Sequence, residues 1–316
     1  MTRDSELLNL VDGTLDLLDT YRPATDASVQ SGAAFDSLLA QCQRYTAQVH
    51  QEAAAPIRLI HHFACTGGTL MSRALACQPN TMVLSEVDPF SKNTRVSAGF
   101  APSDLIYLAC HDRNPPSQET VAEMFLQQLD VLYRASQKTG QQLLIRDHSH
   151  SHFCEYLDPS DRPLMGELIA GRFESRALVT VRHPLDSYLS LHSNGWAGGL
   201  TATLEAYAGC YSRFLDRYRG LEIFHYERFA EHPDAECQRL AEALSLDYEP
   251  RWQDYLSVVR LTGDSGRSTR RIALRPRRAL IASVASQWED GAPQYQALCA
   301  RLGYDPNPEG SLLPLI

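Results

Sequence analysis

"IHHFACTGGTLMSRALACQPN", Ile60–Asn80, decides the fold. A short apolar run gives way to a loop of small residues, Cys65–Thr69, and then to apolar residues at helical spacing. Strand, small loop and helix form the outline of a phosphate-cradling element. Two glycines let the backbone approach an anion, and the first N–H groups of the helix (residues 66–70), with the hydroxyls of Thr66 and Thr69, would point at it. The same residues also suit a tight strand-to-helix turn that needs glycine for its geometry. A nucleoside-triphosphate loop of the G-x-x-x-x-G-K-[ST] type requires a lysine after the glycine. Lysine occurs only at Lys92 and Lys138, neither following a glycine. An anion site in this chain therefore relies on arginine, histidine, backbone N–H groups or hydroxyls.

On either side, strand and helix patterns alternate. Ile57–Phe63, Thr81–Glu86, Gln141–Asp147, Glu174–His183 and Leu221–Glu227 read as strands. Thr69–Gln78, Ser117–Gly140, Pro184–Gly195, Thr201–Gly220 and Glu227–Leu246 read as largely helical, the second opened by a serine cap and the third by proline at its first position. This order predicts an α/β domain over residues 56–316, with a mainly parallel sheet covered by helices on both faces. Ligands in such sheets bind beyond the carboxyl ends of the strands. The residues at those ends are Thr66–Thr69, Glu86, Arg146, Arg182 and Tyr226. Residues 1–55 form a separate helical extension: Leu7, Leu8, Val11, Leu15 and Leu18 share one face, suited to covering the domain or binding a partner.

The composition, 44% hydrophobic and 21% charged, is that of a soluble globular protein. A net charge of −9 argues against a nucleic-acid partner, which needs a basic footprint. None of the eight cysteines forms a C-x-x-C pair. With no secretory-type leader and no apolar run near the roughly 20 residues that span a membrane, the expectation is a cytoplasmic protein with reduced thiols. A homodimer is allowed.

A second motif is "VTVRHPLDSYLSL", in which Arg182 ends a strand and Ser190 comes eight residues later inside a helix. An arginine there grips a phosphate with its forked donors; alternatively it pairs with Asp186. The two motifs together resemble the sulfotransferases that use 3′-phosphoadenosine 5′-phosphosulfate. The first is similar to that family's 5′-phosphosulfate loop, which implies donor contacts from Cys65, Thr66, Gly67, Gly68, Thr69 and Leu70. The second is similar to its 3′-phosphate motif, R-x-P-x-D-x-x-x-S, here Arg182, Pro184, Asp186 and Ser190. The stretch "HYERFAEHPDAECQRLAEALSL" resembles a later strand–helix and places Tyr226 at the nucleotide. "LTGDSGRSTRR" resembles the loop that closes over the 3′-phosphate, with Ser265, Gly266 and Arg267 as contacts. The resemblance covers about residues 57–285 and implies a P-loop-like sulfotransferase fold with the phosphosulfate as donor, adenosine 3′,5′-bisphosphate as product and no metal required.

Pro79 and Glu86 stand fourteen and twenty-one residues beyond Cys65. This spacing is similar to that of protein-tyrosine sulfotransferases, which implies Glu86 as the catalytic base. Arg146 and His148 fit the Lys-x-His of small-molecule sulfotransferases, and His150 lies two residues further, so a histidine competes for the same role. The run His148, His150, His152 also contains metal-ligand types, but no metal is assigned because the resemblance needs none. The family usually carries a lysine or arginine where Cys65 stands; Arg146 is the first substitute for that cation and Arg73 the second. The acceptor is left as a small molecule, lipid or glycan with a hydroxyl or amine. The alternatives are a P-loop kinase of a small molecule and a catalytically inactive nucleotide-binding scaffold.

Overall fold

Five parallel strands form the sheet: β1 Ile57–His62, β2 Thr81–Val87, β3 Gln142–Asp147, β4 Ser175–Val181 and β5 Glu222–His225, in the order β2-β3-β1-β4-β5. The computed structural model describes residue 37 and residues 55–91, 103–154, 162–262 and 272–315. The helical reading of residues 1–55 falls, but for positions 37 and 55, outside the described residues. Among those residues no helix is long and apolar enough to cross a membrane.

The helices in chain order are α1 Gly68–Ala76, α2 Leu105–Cys110, α3 Gln118–Lys138, α4 Ser149–Cys154, α5 Met165–Ile169, α6 Pro184–Ser193, α7 Leu204–Arg217, α8 Tyr226–Glu231, α9 Pro233–Ala243, α10 Trp252–Tyr255, α11 Ala282–Glu289 and α12 Pro293–Leu302. Ser117 caps α3 by accepting from the Thr120 N–H, as its position before the apolar period predicts. The last strand is shorter than the sequence pattern suggests. Its chain turns helical at Tyr226, which brings that side chain back over the sheet end.

Strand periodicity sorts the core onto two faces. Ile57, Leu59, Leu143 and Ile145 pack with Leu129 of α3 and Met165 of α5. Ile60, Leu144, Leu178 and Phe224 point the other way, against Met71, Ala74 and Leu75 of α1 and Leu240 of α9. Val179 and Val181 meet the aromatic face of α7. Strands β1 and β3 are buried along almost their whole length, whereas β2 and β5 form the edges, so the near-continuous apolar runs belong to the central strands. Among the charged residues buried in these strands, Arg58 has Nε, Nη1 and Nη2 donating to the carbonyls of Leu244, Pro56 and Ser245.

The chain leaves β1 toward β2 on one side and leaves β4 toward β5 on the other. Neighbouring strands whose connections diverge form a topological switch point, where a crevice opens at the carboxyl ends. The Cys65–Thr69 loop and Arg182 follow the carboxyl ends of those two neighbouring strands, β1 and β4.

Candidate functional site

The loop is built on the Phe63 carbonyl. It accepts from the Thr66 N–H at 3.3 Å and from Thr66 Oγ1 at 2.8 Å. Thr66 is fully buried, so its hydroxyl closes the turn instead of facing an anion as the sequence suggests. The N–H groups of Leu70 and Met71 return to the Gly67 carbonyl at 3.0 and 3.3 Å. Among the described residues no carbonyl accepts from the N–H groups of Gly67, Gly68 or Thr69. These three open the N-terminus of α1, where the helix dipole favours negative charge. Of the N–H groups of residues 66–70, those available to an anion are thus the three of residues 67–69.

Both glycines are required. Gly67 has φ +89°, and a Cβ there would overlap the Tyr226 ring; a Cβ at Gly68 would overlap His62. The Arg182 guanidinium lies 4.7 Å over the centre of the Tyr226 ring, a cation–π stack, and its Nη1 donates to the Cys65 carbonyl at 3.4 Å. The cation that lies against Cys65 is therefore Arg182. Arg73, the second substitute considered, donates instead to the Leu256 carbonyl. Gly67→Ala is expected to cost roughly 1–2 kcal/mol from its left-handed backbone alone, measured by urea unfolding. By displacing Tyr226 from beneath Arg182, it should also weaken adenosine 3′,5′-bisphosphate binding more than about tenfold.

The other half of the site joins β2 and β3. Arg146, fully buried, donates from Nη1 to Thr69 Oγ1 at 2.6 Å and from Nε to Ser85 Oγ at 2.9 Å, and its Nη2 lies 2.6 Å from Glu86 Oε1 and 3.4 Å from the Thr262 carbonyl. One guanidinium thus ties the anion loop to the carboxylate. Arg146 does not occupy the place of Cys65; it reaches the helix end of the loop. Thr69 accepts from Arg146, which leaves its own hydroxyl proton to donate. Glu86 sits where the β2–β3 register shifts between Ser85 and Val87, with φ 61°. A non-glycine residue held in this region at a bulge carries local strain, and such residues cluster at functional sites.

Burial pushes the Glu86 carboxyl up to about 7; Arg146 lowers it and Asp147 raises it. The imidazoles around it move the other way. Burial first, then the Arg146 charge, lowers His148 to about 4; burial, His148 and Arg146 lower His150 to about 3; burial and Arg146 hold His62 well below the usual range. Three neutral imidazoles thus face a carboxyl poised near neutrality. Glu86 Oε2 is 3.6 Å from His148 Nε2 and 3.9 Å from His62 Nε2, and hydrogen-bonds to none of the described residues. The donor atoms of Glu86, His148 and His150 all lie within 4.8 Å of one another.

Several supporting residues escape the sequence reading. His62 is next to His61 on β1 with the opposite facing: His61 Nδ1 pairs with Asp147 Oδ2 at 2.7 Å, whereas His62 faces Glu86. The tyrosines of α7 recur at helical spacing with polar tips. Tyr207 Oη donates to the Ala64 carbonyl at 2.8 Å, Tyr211 Oη accepts from the Arg182 N–H at 3.1 Å, and Tyr218 at the helix end donates to Asp147 at 3.0 Å. One helix face therefore fixes the ends of β1, β4 and β3. The aromatic stripe is visible in the sequence; which backbone groups it reaches is not.

On α6, Ser190 is buried on the helix that Arg182 precedes. Asp186 pairs with Arg277 Nε at 3.0 Å, so the alternative of an Arg182–Asp186 pair gives way to another arginine. Arg278 donates to Ser193, one turn beyond Ser190. These two arginines add positive charge on the α6 side, and neither was foreseen. Arg182 Nε is buried with no hydrogen-bond partner among the described residues. An unpartnered guanidinium nitrogen and a helix N-terminus without a side-chain cap together fit an anionic ligand. Ser265, Gly266 and Arg267 lie outside the described residues.

No protein-family model matches the chain, and no curated protein matches it. Among solved structures, it is similar to the sulfotransferase domain from the Synechococcus PCC 7002 olefin synthase, at 19% sequence identity and a TM-score of 0.49, over 81% of this chain and 98% of that domain.

Proposed function

We propose that this chain transfers a sulfuryl group from 3′-phosphoadenosine 5′-phosphosulfate to a hydroxyl or amine of an acceptor. The observation that carries this reading is the position of Arg146: a single buried guanidinium hydrogen-bonds Thr69 of the anion loop and pairs with Glu86. An anion site and a general base thereby share one point at the sheet end. Bound there, the donor supplies an electrophilic sulfur whose bond to the 5′-phosphate oxygen is displaced in line. Glu86 Oε1 is held by Arg146, and Oε2 takes the proton of the attacking hydroxyl or amine. A carboxyl near 7 suits a base at neutral pH better than imidazoles near 4 or 3. As the electron pair of the broken S–O bond passes to the phosphate, the N–H groups of residues 67–69 and the Thr69 hydroxyl, polarised by Arg146, hold the developing charge. Arg182 stacks on Tyr226 and fixes the donor's register with Ser190.

Calorimetric titration with adenosine 3′,5′-bisphosphate tests the donor site. The chain is expected to bind it without magnesium, and Arg182→Ala to weaken it by about 10- to 100-fold, the worth of one charged hydrogen bond of roughly 1.5–3 kcal/mol. Thermal stabilisation by ATP–Mg²⁺ in place of the bisphosphate would favour a kinase and sink the proposal.

A further inference from the structure

We infer that Glu86, His148 and His150 also form a binding site for a divalent transition-metal ion of the zinc type, and that occupation of this site switches off the transfer reaction by capturing the base.

The site itself rests on geometry. Two imidazoles and a carboxylate are a zinc-type donor set of three protein ligands, with further positions left for water. Zinc holds nitrogen and oxygen at about 2.0–2.2 Å, so donors around one ion stand roughly 3–4 Å apart. His148 Nε2 and Glu86 Oε2 are already 3.6 Å apart, and all three donor atoms lie within 4.8 Å of one another. Small side-chain rotations complete the set. Glu86 Oε2, His150 Nδ1 and His62 Nε2 are buried polar atoms with no hydrogen-bond partner among the described residues. His62 is 5% exposed, and its Nε2 stands 3.9 Å from Glu86 Oε2. Buried polar atoms are rarely left unbonded, and a carboxylate oxygen with two imidazole nitrogens beside it, all three unbonded, points to a ligand that accepts lone pairs.

The immediate surroundings both oppose and support an ion. Arg146 holds Glu86 Oε1 at 2.6 Å and repels a second cation. It also orients the carboxylate so that Oε2 faces the histidines, the role that outer hydrogen bonds play around metal-ligating carboxylates. The backbone supplies the convergence. The β2 bulge aims Glu86 back across the sheet end, and the helix that begins at Ser149, anchored by its hydroxyl to the His62 carbonyl, brings His150 beside His148.

The inhibitory role rests on the proposed transfer reaction: a metal on Oε2 takes the lone pair that would receive the acceptor's proton. Chelator-stripped protein, with neither donor nor acceptor present, is titrated with Zn²⁺ by calorimetry and with Co²⁺ by visible absorption. One equivalent is expected to bind, with the intense Co²⁺ absorption of a site of low coordination number. Glu86→Gln, His148→Ala and His150→Ala should each weaken binding by at least about tenfold. His150→Gln covers the case in which alanine at that position unfolds the chain, and His232→Ala, at an exposed imidazole, should leave binding unchanged. Equimolar Zn²⁺ should suppress sulfate transfer, and chelator should restore it. Absence of saturable binding, or equal affinity in the three ligand variants, overturns the site. Binding without loss of transfer overturns the inhibitory role. If stripped protein binds metal as described but transfers no sulfate, the sulfotransferase reading fails while the site stands.

Discussion

Arg146→Ala is expected to lower kcat by about three orders of magnitude while changing the affinity for adenosine 3′,5′-bisphosphate by less than about fivefold. Two losses combine. Removing one preorganised donor to a developing oxyanion typically costs about 10²–10³ in rate, and here the Thr69 hydroxyl loses the guanidinium that polarises it. Arg146 is also the influence that holds the Glu86 carboxyl down against burial; without it the carboxyl rises above about 7 and is protonated at neutral pH. The base is then lost along with the group that polarises the charge-stabilising hydroxyl. Arg146→Lys keeps a charge but not the fork that reaches Ser85, Thr69 and Glu86 together, and should recover only part of the rate. Steady-state kinetics beside calorimetry separate the two effects. Equal losses of rate and affinity would return Arg146 to a purely structural role.

Glu86→Gln is expected to reduce kcat by about a thousandfold, within the 10²–10⁴ range of general-base catalysis. The amide oxygen still accepts from Arg146, so the guanidinium keeps its place and the bisphosphate affinity should hold within a few-fold. A rate that survives in Glu86→Gln but collapses in His148→Ala would move the base to the histidine, the competing assignment of the sequence reading.

The five strands, their parallel sheet and the positions of Thr69, Glu86, Arg146, Arg182 and Tyr226 at strand ends were legible because they arise from local pattern. Period-2 and period-3.6 runs fix elements, and a parallel sheet gathers the residues after each strand at one edge. The illegible part depends on side-chain direction. Thr66 turns inward onto Phe63 because the loop must satisfy its own carbonyl. Glu86 reaches the histidines through a positive φ at a bulge, which no residue pattern announces. His148 and His150 stand two residues apart just beyond the β3 strand, and a short helix that begins at Ser149, which their spacing does not announce, places their ring centres 3.7 Å apart. The support from α7 is long-range: Tyr207 and Tyr211 meet residues 143 and 29 positions away in sequence. Contacts of that separation are set by topology, beyond the reach of a window of sequence.

The most direct test of the central claim is transfer itself. Chelator-treated protein is incubated with sulfate-labelled 3′-phosphoadenosine 5′-phosphosulfate and a panel of alcohols, phenols, amines and glycans. Label should move to at least one acceptor with stoichiometric release of adenosine 3′,5′-bisphosphate, and both should fall together in Arg146→Ala and Glu86→Gln. Binding of the bisphosphate with no transfer to any acceptor would leave a nucleotide-binding scaffold, and transfer undiminished in both variants would contradict the assignment of Arg146 and Glu86 as the centre of the reaction.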